Sequence, residues 1–166
     1  WVKEYDPGSL LPRCRVPIFF VNGTNDIHYV LDSYMKSYDV VPGEKQMRIE
    51  VKMPHGHPPG WAPQEIGIFI DSKCRGGKPL PIPGQPVNAG GQISVPYTSA
   101  VALKEAALHY TTDAGPRSKR EWKSMPATIG EDLVITPPPP KGANTWYVSL
   151  TDERGAMVST EVQFAD

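Results

Sequence analysis

Asp26 closes the run N-G-T-N-D behind an apolar segment, and the cluster His55-Gly56-His57 comes 29 residues later, behind a second apolar segment. A carboxylate ahead of an imidazole, each just past the end of a strand, supplies the acid and the base of nucleophilic catalysis. The carboxylate fixes the ring's tautomer and orientation and stabilises the imidazolium formed when the ring takes a proton from a hydroxyl. The hydroxyl itself lacks its usual setting. No G-x-S-x-G occurs in the 166 residues, and none of Ser9, Ser33 and Ser37 sits on a strand–turn–helix elbow. The expectation is therefore the later part of an enzyme, inactive by itself.

Each residue also admits a plainer reading. Asp26 comes after Asn and Gly, which favour turns whatever their role. His57, before Pro58-Pro59, can hydrogen-bond its own loop, and His28 can line a pocket mouth or cap the next helix. His109 reads as a surface or interstrand residue. Trp61 is expected to pack the histidine loop and Glu65 to cap a helix. Asp26, His28, His55 and His57 together offer one carboxylate and three imidazoles, a donor set that could hold zinc, although Gly56 and the prolines suit a tight turn better than a rigid ligand pair. Trp122, Trp146 and Tyr147 offer flat faces for stacking sugar rings, so a carbohydrate-binding module is a further alternative, with Trp122 its main residue. Strand alternation sends Trp146 and Tyr147 to opposite sides, so at least one of them belongs to a core.

Hydrophobic periodicity gives the elements that must position these residues. Val16 to Val21 is a continuous apolar run, as in a strand covered on both faces. Leu31, Tyr34, Met35 and Tyr38 fall at helical spacing, and Pro42-Gly43 ends that segment. Met47, Ile49, Val51 and Met53 alternate with charged residues as in a half-buried strand. After Pro63, the stripe Ile66, Phe69, Ile70 and Cys74 predicts a second helix ending at Gly76-Gly77. Strand, helix, strand, helix implies a parallel pair with a right-handed crossover, and the open ends of parallel strands are where ligands bind.

The prolines, 19 in all, cluster after residue 78. Residues 81–91 read as a semi-rigid linker between a first part, 1–80, and a second, 92–166. The second part carries short alternating segments: Ala106 to Thr111, Glu121 to Met125, Leu133 to Thr136, Thr145 to Leu150 and Met157 to Gln163. Turn residues separate them, which predicts an all-β sandwich of immunoglobulin or fibronectin type. Val101 to His109 has helix propensity as well, and its strand neighbours decide for strand.

The segments V-P-I-F-F-V-N-G-T-N-D-I-H-Y-V-L-D-S-Y and M-P-H-G-H-P-P-G-W-A-P-Q-E-I-G-I-F-I-D resemble the carboxyl half of bacterial α/β-hydrolases of the acetylxylan-esterase-like or dipeptidyl-aminopeptidase-like group. The resemblance covers roughly residues 1–80. It implies an α/β class with an incomplete parallel βαβα portion, the catalytic acid at Asp26 and the catalytic histidine at His55, with His57 in reserve. It further implies a serine nucleophile outside this chain, on an upstream half or a complementary chain, and no cofactor or metal. The substrate class implied is an acylated carbohydrate or other ester, with peptides the alternative, and the location secreted or periplasmic. Some relatives carry a β-sandwich extension, which residues 92–166 would fit.

Composition bounds the rest. A net charge of -1 offers no field for nucleic acid or anionic membranes. No apolar run nears the ~20 residues that span a bilayer, so a soluble chain is expected. Cys14 and Cys74 could form one disulfide, but two free thiols is the favoured reading.

Overall fold

The computed structural model describes residues 2–165. Two short helical turns, α1 (Val2–Tyr5) and α2 (Pro7–Leu10), lead into β1 (Ile18–Gly23), α3 (Leu31–Asp39) and β2 (Lys45–Glu50). The histidine loop then enters α4 (His57–Trp61) and α5 (Gln64–Cys74). Beyond these the chain is strand after strand: β3 (Ile82–Pro83), β4 (Val87–Ala89), β5 (Gln92–Thr98), β6 (Leu103–Thr111), β7 (Lys123–Pro126), β8 (Thr128–Ile129), β9 (Leu133–Thr136), β10 (Thr145–Asp152), β11 (Met157–Ser159) and β12 (Gln163–Phe164).

This corrects the α/β class. Strands take 34% of the residues and helices 23%, and all but one of the strand pairings are antiparallel. One five-stranded sheet runs β11-β10-β6-β7 with β12 beside β10; the other runs β3-β5-β9-β8 with β4 beside β5. Among the described residues the single parallel pair is β1–β2, from Ile18 opposite Lys45 to Gly23 opposite Glu50. No third parallel strand joins it among the described residues. The outer side of β2 is closed instead by Ser159 of β11, whose hydroxyl accepts from Ile49 N at 2.9 Å. The molecule is thus predominantly antiparallel β.

The segment read as a linker is built into a sheet. Ile82 and Pro83 lie opposite Thr98 and Tyr97, and Val87 to Ala89 lie opposite Ser94 to Gln92. Prolines are admissible there because both strands sit at the margin, where a missing N–H breaks no ladder.

Two apolar cores result. Ile93, Val95, Ala106, Leu108, Val134, Val148, Leu150 and Val158 fill the space between the antiparallel sheets, joined by Leu80 and by Phe69 from α5. The second core takes Phe20, Met47 and Ile49 from the parallel pair, Leu31, Met35 and Tyr38 from α3, and Tyr147 from β10. Tyr147, fully buried, therefore joins the part carrying Asp26 to the all-β part, whereas Trp146 packs on the other core.

Glu65 does not cap its helix. It is buried, its Oε1 accepts from Met157 N at 2.7 Å, and Oε2 lies 3.3 Å from Arg48 Nε, so it ties α5 to β11 and β2. Cys14 and Cys74 are free thiols. Among the described residues no helix is long and apolar enough to cross a membrane.

Candidate active site

Two loops leave the same ends of β1 and β2, and their meeting makes the site. Asn22 folds the first loop back on itself: its Nδ2 donates to Tyr29 O at 2.7 Å. Thr24 N donates to Glu50 O at 2.9 Å, and Thr24 Oγ1 accepts from Lys52 N at 2.9 Å, so the acid loop is stitched to the end of β2. Gly23 is needed at the crossing, because a Cβ there would lie 2.5 Å from the carbonyl oxygen of Met53. That neighbour is backbone and cannot swing aside. Gly23→Ala is expected to force the loops apart, costing about 1–3 kcal/mol as over-packing does. A lowered urea midpoint, together with loss of the hydrogen-bonded imidazole proton of His55 in the NMR spectrum, checks this.

Asp26 is 5% exposed. Its Oδ1 accepts from the amides of His28 and Tyr29 at 2.7 and 2.8 Å, and its Oδ2 faces His55 Nδ1 at 2.7 Å. Burial raises the carboxyl's pKa, but the Tyr29 amide, the His55 ring and the His28 amide together outweigh it and hold the group below the ordinary carboxylate range. The carboxylate is therefore ionised at neutral pH and can only accept. Nδ1 of His55 accordingly donates to it, an arrangement that in the neutral ring leaves the lone pair on Nε2.

Gly56 sets the position of His55. Its φ of +143° is a conformation L side chains rarely take, and it turns the chain from His55 into α4. The His55 side chain is 39% exposed, and its Nε2 has no hydrogen-bond partner among the described residues. Beside it opens a cavity of about 250 Å³ lined by Asn22, Asp26, Tyr29, Met53, His57 and Trp61, among others. A buried acceptor, an oriented ring and an unoccupied basic nitrogen at a cavity can together remove a proton from a hydroxyl and return it to a leaving group.

The other expected residues separate from this pair. The ring of His28 lies 4.5 Å from that of His55, yet its functional contact with Asp26 is made by its backbone amide. His57 lines the cavity but turns edge-on to Trp61, with centroids 5.0 Å apart. Trp61 is 75% exposed, and this edge-on contact is the ring contact it makes with the histidine loop. Among the described residues no three His, Cys, Asp or Glu side chains converge as a metal site would need, and both oxygens of Asp26 are engaged in hydrogen bonds. Trp122 is no open platform for a sugar ring: it packs on Tyr147 at 5.8 Å between centroids, and its Nε1 is shielded. His109 lies between Ser124 and Ser149.

One contributor carried no signal in the local sequence. Asn25, beside the acid, reaches the loop between β6 and β7, more than 90 residues away in the chain. Only the folded arrangement brings these segments together.

No family model and no curated protein matches the sequence. Among solved structures the chain is similar to the pectate lyase PelI of Erwinia chrysanthemi, in complex with tetragalacturonic acid, at 14% identity and a TM-score of 0.28. The match covers 51% of this chain and 27% of the lyase, so the chain spans about a quarter of that protein's length. A likeness that loose bears on neither the fold nor the chemistry.

Proposed function

We propose that this chain supplies the acid and the base of a hydrolase working by acyl transfer, with Asp26 as the orienting carboxylate and His55 as the general base. The observation that carries the reading is the 2.7 Å contact from Asp26 Oδ2 to His55 Nδ1, with Oδ1 fixed by two amides and Nε2 left at a cavity. In the reaction, Nε2 takes the proton of a serine hydroxyl as that oxygen attacks the ester carbonyl. It then gives the proton to the departing alkoxide, and a water molecule repeats the sequence to release the acid. The serine comes from outside these 166 residues, on an upstream half or a complementary chain. β1 supports such a partner, since its only strand neighbour among the described residues is β2.

The substrate class we favour is an acylated carbohydrate, with other carboxylic esters and peptides behind it. That choice, like a secreted or periplasmic location, rests on the resemblance of the N-G-T-N-D and H-G-H segments to acetylxylan-esterase-like hydrolases. The test is hydrolysis of p-nitrophenyl acetate by the chain alone and by the chain assembled with a serine-bearing partner. The assembly should show saturable turnover that a phosphonate label blocks and that His55→Ala abolishes, while the chain alone stays inert. Saturable, phosphonate-sensitive turnover by the isolated chain, or assembled activity that survives His55→Ala, would overturn the proposal.

A further inference from the structure

We infer that Asn25 is a positioning residue through which the all-β part of the chain holds the catalytic acid in place, so that this part belongs to the catalytic unit and is not a spacer. The inference rests on the acid–base reading of Asp26 and His55. The Asn25 side chain reaches the β6–β7 loop. Its Nδ2 donates to two backbone carbonyls of the β6–β7 loop, Arg120 O at 2.9 Å and Arg117 O at 3.2 Å. Its Oδ1 accepts from Thr24 Oγ1 at 2.7 Å, and that same hydroxyl accepts from Lys52 N. One carboxamide therefore joins the acid loop to the all-β part and, through the Thr24 hydroxyl, to Lys52, just past β2 and three residues before His55.

The loop that Asn25 grips is itself fixed. Asp113 Oδ1 accepts from Gly115 N at 2.7 Å, Arg120 Nε donates to Gly115 O at 3.1 Å, and Asn144 Nδ2 donates to Asp113 O at 3.1 Å. Two exposed ion pairs cross the same boundary, Arg117 to Asp32 at 2.7 Å and Lys52 to Glu121 at 2.8 Å. Such pairs contribute little on their own. The carboxamide differs from them, because two directional bonds to backbone fix both the distance and the angle of the residue next to Asp26. The Asp26–His55 contact depends on that placement, since its geometry tolerates displacements of only a few tenths of an ångström.

The test reads the pair directly rather than turnover. The hydrogen-bonded Nδ1–H proton of His55 is identified in the NMR spectrum of the whole chain by its loss in Asp26→Asn and in His55→Ala. Asn25→Ala should abolish or broaden this resonance while the dispersed spectrum of the β core persists. Asp113→Ala, which frees the loop without touching the acid side, should weaken it, and Arg117→Ala, which keeps the accepting carbonyl, should leave it intact. A resonance with native intensity and native solvent exchange in Asn25→Ala overturns the inference, even if the melting temperature falls. If Asn25→Ala does not fold, Asp113→Ala decides by the same criterion. Failure of the pair itself is distinguishable, because then Asp26→Asn would leave the resonance unchanged. Absence of esterase activity would leave all these readings in force.

Discussion

Asp26→Asn should lower the turnover of the assembled hydrolase by about 10⁴-fold, the scale seen when an orienting carboxylate is made an amide, with KM changed far less. The size comes from the surroundings of Asp26 rather than from loss of charge alone. At the Oδ1 position two backbone N–H groups, of His28 and Tyr29, point at the side chain. Asparagine can satisfy both only by placing its oxygen there, which leaves its NH₂ facing His55. The imidazole must then present Nδ1 as an acceptor, and its proton moves to Nε2. A ring protonated at the outward nitrogen cannot act as the base. The fold should scarcely change, since all three hydrogen bonds at position 26 can still form. Steady-state kinetics of Asp26→Asn, His55→Ala and the double variant check this, and the losses should be far from additive because the residues act as a unit. A double variant losing the product of the two single effects would show two independent roles.

The pair could be read in the sequence because both of its loops announce themselves locally. An apolar run ending in Asn-Gly, then an aspartate, and an alternating strand ending in Pro-His-Gly, are signals carried within a few residues of the functional groups. Several strands of the all-β part were legible on the same basis, Leu133–Thr136 among them. The class of the fold was not, because class depends on which long-range pairings dominate. The βαβ pattern before residue 50 ends after one parallel pairing, and Ser159, 110 residues onward, closes the far side of β2. The margin strands are hidden in the sequence because their prolines read as breakers, though a margin strand needs few of its N–H groups. Glu65 and Asn25 gave no sign of their roles for a related reason. A carboxylate in the first turn of a helix suggests a cap, and a turn asparagine suggests a turn, but each is bonded to backbone some 90 residues distant.

His109 carries the second large expectation, an acid-sensitive joint inside the all-β part. Its ring bridges three strands: Nδ1 lies 2.7 Å from Ser124 Oγ on β7, Nε2 lies 2.8 Å from Ser149 Oγ on β10, and its face stacks on Tyr147 at 4.8 Å. All three partners are neutral, and among the described residues no carboxylate contacts the ring to offset its desolvation. Burial accordingly pushes its pKa down to about 4. In the unfolded chain the ring has an ordinary value near 6.5. Between those values an unfolded molecule binds a proton that the folded one refuses, so stability falls with pH across that window. The loss reaches about 3 kcal/mol once pH nears the folded value, a large share of the 5–15 kcal/mol that holds a domain together. Asp26 acts in the same direction but lower, because its depressed pKa releases stability only below the ordinary carboxylate range. Urea midpoints taken at several values between pH 7 and pH 4 should therefore decline steeply in the native chain. In His109→Gln, which can still hydrogen-bond a serine but cannot titrate, the decline should lose about one proton's worth of slope, whatever its stability at pH 7. Parallel slopes for the two proteins would mean that the ring is protonated in place without strain, and that the joint is indifferent to acid.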